Sequence, residues 1–258
     1  MQIDLTGQVV LVTGGARGIG AAITRAFLAE GCTVVICGRT QPEDADLPAV
    51  GDAKARFVSC DVRIDSQVAA MIEGIVAEHG RLDIVVNNAG GAPSVLAADT
   101  PPRLAGSLIN LNLLAPFLVA QAAQKVMAEQ EQGGQIINIG SVSSMRPAPG
   151  TAIYAATKAG LSMLTRALAL EWGPKVRVNQ IRVGLVGTEL SEMHYGGAEG
   201  MAAVNKLIPA GRMAVPEDIG KACVALANPE LGYMSGAEVN LDGGGEVPGW
   251  YDAVQRNL

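Results

Sequence analysis

Seven short runs of apolar, largely β-branched residues punctuate the chain, and their continuity constrains the fold more than any other feature. They cover residues 9–12, 33–37, 56–59, 84–86, 135–139, 176–181 and 238–241. A strand wetted on one face alternates apolar and polar residues, whereas near-continuous apolar runs suit strands covered on both faces. Helix-period segments separate them. In residues 66–79 a single stripe is formed by Val68, Met71, Ile72, Ile75 and Val76, with Ser66 suited to an N-cap. Strands joined by helical crossovers predict a doubly wound α/β (Rossmann) fold, a seven-stranded parallel sheet with helices on both faces.

No repeat or Pro/Ser-rich linker divides the sequence, so one domain spanning 1–258 is expected. Residues 41–52 and 91–103 read as surface loops. Residues 190–209 are helical but loosely patterned, as a substrate lid would be. The Gly/Pro-rich tail 243–258 carries Trp250 and Tyr251, too apolar for a free end and expected to pack across another subunit.

Composition removes whole classes of function. With 49% hydrophobic and 17% charged residues and a mean hydropathy of +0.27, the 258-residue chain can bury a sizeable core, which excludes disorder. Nineteen basic against 25 acidic residues, with no Lys/Arg cluster, deny nucleic acid its electrostatic footing. Aromatic residues, at 3%, are too few for a base-stacking surface. Cys32, Cys37, Cys60 and Cys223 form no CxxC pair and read as reduced core residues of a cytoplasmic protein. His79 and His194, the only histidines, leave no metal motif and no Ser-His-Asp triad. Neither a signal peptide nor a membrane span is expected.

After the first strand comes Thr13-Gly14-Gly15-Ala16-Arg17-Gly18-Ile19-Gly20, then a helical segment over 21–30. Glycines let backbone turn tightly and approach a pyrophosphate, whose charge the helix N-terminus stabilises. The spacing is G-x3-G-x-G. Gly14, Arg17, Gly18, Ile19 and Gly20 are therefore candidate dinucleotide contacts. At the end of the second strand an acid would accept from a free ribose 2′-hydroxyl and repel a 2′-phosphate. The chain has Cys37-Gly38-Arg39-Thr40 instead. Arg39 and Arg17, with no acid, favour NADP(H) and leave NAD(H) possible. Asp61-Val62 ends the third strand, where a carboxylate could accept from an adenine amino group or simply cap a turn.

Tyr154 and Lys158 stand at i and i+4 of a helical segment and share a face. An ammonium there favours the phenolate: moving a phenol from ~10 to ~7 takes roughly 4 kcal/mol, about what a unit charge at ~4 Å supplies at an effective dielectric of ~20. Such a tyrosine serves as general acid/base for a hydroxyl–carbonyl pair. Ser141, just past the fifth strand, stands where ligands of these sheets bind and can stabilise charge on the reacting oxygen. Ser143 and Ser144 are nearby alternatives. Asn87-Asn88-Ala89-Gly90 ends the fourth strand at the same edge.

Taken in order, Thr-Gly-x3-Gly-x-Gly, Asn-Asn-Ala-Gly, Ser141, Tyr154-x3-Lys158 and the closing Leu241-Asp242-Gly243-Gly244 resemble the short-chain dehydrogenase/reductase family over essentially the whole chain. Residues 135–142 look most like its 3-oxoacyl-(acyl-carrier-protein) reductase-like members. The resemblance implies that Tyr154 is the catalytic acid/base, that Ser141 orients the reacting oxygen, and that Lys158 binds the nicotinamide ribose and lowers the Tyr154 pKa. It implies that Asn112 holds a water in a proton relay through Lys158, with Asn110 structural. Asn88, Ala89 and Gly90 would line the cofactor, Val186 would offer backbone and Thr188 a side chain to the nicotinamide amide. It also implies a homotetramer with residues 152–172 and 104–130 at one interface. Where the family has Pro-Gly after the sixth strand, this chain reads Arg182-Val183-Gly184. Arg182 is expected to meet a structural carboxylate rather than an acidic substrate.

The expected activity is interconversion of a secondary alcohol and a ketone, with Met145, Leu185, Val186, Leu190 and Met193 making an apolar pocket. An acyl thioester, a steroid-like ring and a small ketone stay open as substrates. With NAD(H), a catabolic hydroxyacyl or hydroxysteroid dehydrogenase is the better reading. The rival from another class is a dinucleotide sensor without turnover.

Overall fold

A computed structural model describes residues 3–188, 191 and 195–248. Leu190, Met193, His194, Trp250 and Tyr251 lie outside them. All seven apolar runs are strands: β1 (Val9–Thr13), β2 (Thr33–Gly38), β5 (Arg56–Ser59), β6 (Ile84–Asn87), β7 (Gly134–Ser141), β8 (Val176–Val183) and β9 (Glu238–Leu241). They form one parallel sheet in the order β5-β2-β1-β6-β7-β8-β9. Strand order reverses between β1 and β6, which opens a crevice at their carboxyl ends.

Successive residues of each strand enter different cores. Val10, Val12, Val34, Ile36, Val86 and Ile137 pack with Ile23 and Phe27 of α1 (Gly18–Ala29) and Ile219 and Cys223 of α7 (Pro216–Ala227). Val9, Leu11, Val35, Val85 and Ile136 pack on the other face. They meet Met71, Ile72 and Ile75 of α2 (Asp65–His79), Val119 and Met127 of α4 (Ala115–Met127) and Leu168 of α5 (Ala152–Trp172).

Two details differ from expectation, the start of α2 and the continuity of 104–130. Helix α2 starts at Asp65, whose Oδ1 accepts from Ser66 N, so Ser66 is not its N-cap. The β2–β5 crossover holds no α-helix, in keeping with the surface loop expected over 41–52. Between Pro42 and Gly51, with several acids and few apolar residues, it forms one 3₁₀ turn (Asp44–Asp46) and an exposed hairpin, β3 (Ala49–Val50) with β4 (Ala53–Lys54). The segment 104–130 is interrupted: α3 (Pro102–Ile109) joins α4 through a wide π turn at Asn110–Leu114. Pro116 lacks an N–H and has none to offer the Asn112 carbonyl four residues back, which accounts for the change of pitch.

Pro102–Met127 is long and apolar enough, by composition, to cross a membrane. Here it packs on the sheet through Val119, Ala120, Ala123 and Met127, with Ile109 and Leu114 facing outward. Within 190–209, Gly197–Leu207 form helix α6.

Candidate active site

The Gly-rich turn closes on itself before α1. A Cβ on Gly20 would lie 2.1 Å from the Gly14 carbonyl oxygen and 2.6 Å from Asn88 Nδ2, so no side chain fits there. Gly14 and Gly18 take left-handed φ of 64° and 52°, and a Cβ on Gly18 would meet nothing within 4 Å. The outer side of the turn is open. Helix α1 starts at Arg17 without a capping side chain and with no acid in its first turn, so its leading N–H groups are left for an anion. Asn88 braces the turn: Nδ2 donates to the Thr13 and Gly14 carbonyls at 2.9 and 3.2 Å. Thr13 Oγ1 accepts from the backbone N–H of Asn88 and Ala89, both at 3.0 Å. Thr13 and Asn88 thus hold the Asn-Ala-Gly segment against the turn, and Ile19 is partly buried against the core.

Arg39 at the β2 end and Arg17 in the glycine turn are exposed, and among the described residues neither makes a hydrogen bond or ion pair. Asp61 is held by Arg63 through Nε at 2.8 Å and Nη2 at 2.6 Å, and that hydrogen bonding brings its carboxyl down to about 2, with the Arg39 charge helping. The turn-capping reading of Asp61 is therefore observed, and Arg63 is a third guanidinium that the strand-end pattern did not single out. Val62 is buried beside Thr13 and Ala89.

Across the crevice, β7 delivers Ser141 and α5 delivers Tyr154 and Lys158. Ser141 lies close enough to the Tyr154 hydroxyl to favour its ionised form. Its Oγ also accepts from Ser143 N at 3.2 Å, and its carbonyl accepts from Ser144 Oγ at 2.7 Å. Ser143 and Ser144 thus serve the turn that presents Ser141. Lys158 is 4% exposed and donates to the Ile139 carbonyl at 2.8 Å, its one hydrogen bond among the described residues. It lies 5.7 Å from the Tyr154 ring centre. A Cβ on Gly90 would fall 2.8 Å from Asn112 Oδ1 and 3.6 Å from Lys158 Nζ, so the missing side chain leaves a gap beside the ammonium.

The expected acidification of Tyr154 is absent in this state. Burial pushes its phenol above the ordinary value, and the opposing influence is the Ser141 side chain rather than Lys158. Burial also brings Lys158 down to about 8. Desolvation acts on both groups here, whereas i, i+4 spacing alone speaks only to their attraction.

Asn112 is fully buried, and its side chain is committed. Oδ1 accepts from Gly91 N at 2.9 Å, and Nδ2 donates to the carbonyls of Gly91 and Leu108, both at 3.0 Å. After β8, the Val186 carbonyl accepts from Ser191 Oγ at 3.1 Å, and Ser191 Oγ also accepts from Thr188 N at 2.6 Å. Ser191 thus shapes the segment carrying Val186 and Thr188; nothing in its surroundings in sequence pointed to it. Arg182 pairs with Glu238 and bonds Asn240 Oδ1 at 2.8 Å, the structural engagement expected of it.

Of the anticipated pocket residues, Leu190 and Met193 lie outside the described residues, Met145 is 65% exposed, and none of Met145, Leu185 and Val186 lines the cavity beside Tyr154. Its walls include Ala92, Pro93, Val95, Leu104, Leu108 and Ile153. The 91–100 segment is tied across it by Val95 N donating to the Gly150 carbonyl at 3.1 Å. That contact joins positions 55 residues apart, beyond any local pattern.

The geometry fits a dinucleotide: an open glycine turn, an uncapped helix end, exposed guanidiniums and a gap beside a buried ammonium. A family model described as enoyl-(acyl carrier protein) reductase matches residues 14–246. The chain is 36% identical over 253 residues to 3β-hydroxysteroid dehydrogenase 1 of Eggerthella lenta, covering 95% of each chain. It is 34% identical over 245 residues to the 3-oxoacyl-[acyl-carrier-protein] reductase of Chlamydia trachomatis, covering 93% of this chain and 98% of that one. A short-chain dehydrogenase/reductase mutant structure from Serratia marcescens superimposes with a TM-score of 0.84 at 30% identity, covering 93% of this chain and 98% of that one.

Proposed function

The chain is an oxidoreductase of the short-chain dehydrogenase/reductase family, and from that premise we propose that it interconverts a secondary alcohol and a ketone with a nicotinamide dinucleotide, NADP(H) in preference to NAD(H). The observation that carries this reading is the convergence of Ser141, Tyr154 and Lys158 at one sheet edge, beside the gap at Gly90. The nicotinamide, when bound, supplies or accepts the hydride. Gly14, Gly18, Ile19 and Gly20 would hold the pyrophosphate, Arg17 and Arg39 a 2′-phosphate, and Asp61 and Val62 the adenine. Ala89, Gly90, Val186 and Thr188 would border the nicotinamide, with Asn88 bracing the turn.

In the reducing direction Tyr154 donates its hydroxyl proton to the carbonyl oxygen, and Ser141 donates a hydrogen bond to the same oxygen as charge gathers there. Lys158, charged below about 8, stabilises the phenolate left behind and directs its remaining N–H groups to ribose hydroxyls. Because the Asn112 amide is engaged, a water relay toward Lys158 would run from the Asn112 carbonyl, which has no α-helical donor in Pro116.

The test is a spectrophotometric screen of 3-oxoacyl thioesters, steroids and simple ketones with both reduced cofactors. Tyr154→Phe is expected to cut turnover at least about 10³-fold, yet preserve the cofactor-dependent rise in Tm. Persistent activity in that variant would defeat the acid/base assignment. A sensor would show the Tm rise with no turnover of any substrate. We also infer a cytoplasmic homotetramer that takes a small, largely apolar alcohol or ketone and neither nucleic acid nor membrane, consistent with its charge balance and uncharged cavity wall.

A further inference from the structure

We propose that Arg146 is a positioning residue for substrate binding: it latches the segment after β9 to the loop that carries Ser141, and through that segment holds the end of α6. The proposal rests on the oxidoreductase reading only for which ligand the cleft receives. Arg146 lies five residues past Ser141, and its backbone N–H donates to the Val142 carbonyl at 2.8 Å, so it belongs to the same turn. Its guanidinium leaves that turn and grips the distant segment twice. Nη2 meets Asp242 Oδ2 at 3.0 Å and Nη1 meets Glu246 Oε2 at 2.8 Å. All three side chains are partly sheltered, at 38%, 18% and 26% exposure, so solvent does not fully screen them.

The gripped segment fits its surroundings closely. Gly243, Gly244 and Gly245 all take left-handed φ, of 65°, 95° and 87°. A Cβ on Gly243 would come 2.7 Å from Ile208, one on Gly244 3.2 Å from Pro209, and one on Gly245 2.3 Å from Arg146 Nη1. Three glycines therefore thread the chain between the guanidinium and the residues that follow α6. Two backbone bonds join that segment to the end of α6: Ala210 N donates to the Gly243 carbonyl at 3.0 Å and Val247 N to the Leu207 carbonyl at 2.8 Å. Beneath it, Asp242 packs so near Gly184 that a Cβ there would lie 2.7 Å from the Asp242 Cα. Arg146 thus ties together the loop of Ser141, the start of the 184–188 segment and the end of α6. Removing it leaves the Tyr154–Ser141–Lys158 group intact while freeing one side of the cleft, so the loss falls on substrate affinity.

The experiment compares full-length wild type with Arg146→Ala, Arg146→Lys and Gly245→Ala, using the alcohol or ketone the wild type turns over best. Arg146→Ala is expected to raise KM at least about tenfold, equivalent to about 1.4 kcal/mol, with kcat within about threefold and NADPH affinity unchanged. Amide exchange at Ala210 and Val247 should quicken by a similar factor. Lysine, able to meet one carboxylate, should restore part of both effects. Gly245→Ala, which changes no charge but forces a methyl into the guanidinium, should reproduce the alanine phenotype. Unchanged KM with unchanged exchange would overturn the latch. So would parallel losses of kcat, KM and NADPH affinity with exchange raised throughout the chain, the mark of general destabilisation. If the wild type turns over no alcohol or ketone, the oxidoreductase reading fails, and the exchange measurements alone decide the latch.

Discussion

Lys158 is the residue whose chemistry and stability pull in opposite directions. Its folded pKa of about 8 lies below the ordinary lysine value of 10.5, so below pH 8 the fold carries a desolvated ammonium, a cost that fades between about 8 and 10.5 as the folded form deprotonates first. Its own contribution to stability therefore rises with pH across that window. Lys158→Met should hold stability at pH 7 or raise it by about 1–2 kcal/mol, seen as a higher Tm, after the lost bond to Ile139 is set against the relieved burial. The gain should shrink above pH 8, while turnover collapses at every pH. A pH series of thermal melts decides it, and a variant uniformly less stable than wild type would refute the balance. Arg39 permits a cleaner test, because among the described residues it has no bond to lose. Arg39→Ala should weaken NADPH about 10–100-fold, the worth of a charge-assisted hydrogen bond, and leave NADH nearly unaffected by fluorescence titration. Equal loss for both cofactors would remove the 2′-phosphate assignment.

At the scale of elements, what local pattern can reveal separates from what it cannot. The seven strands are legible because burial on both faces makes each run apolar throughout, and α5 because its stripe is long and uninterrupted. The β2–β5 crossover is legible as a surface loop because Pro42, Pro48 and Gly51 do not support the helix that a doubly wound sheet would otherwise place there. Tyr154, Lys158, Ser141 and the glycine turn are legible as motifs. Arg63 on Asp61, Ser191 under Val186, the Val95–Gly150 tie and the Asn112 grip on Gly91 are not, since each depends on a partner brought near by the fold. Gly90 shows how such contacts become testable. A methyl there would press on Asn112 Oδ1 at 2.8 Å, a group held by three bonds and unable to retreat. Gly90→Ala should cost about 1–3 kcal/mol of stability and lower cofactor affinity, measured by melts with and without NADPH. A variant with full affinity and wild-type Tm would mean the gap is not used.

For the whole molecule, four of the eleven exposed large apolar side chains among the described residues lie on two neighbouring helices, where a second copy would cover them. Along α5, Met163 is 60% and Leu170 87% exposed, seven residues apart and so on one face; Ile109 and Leu114, at 44% and 42%, lie outward on the apolar α3–α4 helix. Scattered exposed apolar residues need no explanation, but two neighbouring helices that present them together are the composition of an interface. The helix that could by composition enter a lipid bilayer holds the sheet with its inner side, and the proposed homotetramer would use its outer side as a subunit contact. Because Lys158 and Tyr154 ride on α5, association would also stiffen the helix that carries the chemistry. Met163→Glu with Leu170→Glu should then reduce the oligomer by sedimentation velocity and lower kcat several-fold, without altering the fold seen by circular dichroism. A double variant that keeps the wild-type sedimentation coefficient would move the interface elsewhere, and a wild type that sediments as a monomer would leave those side chains to some other partner.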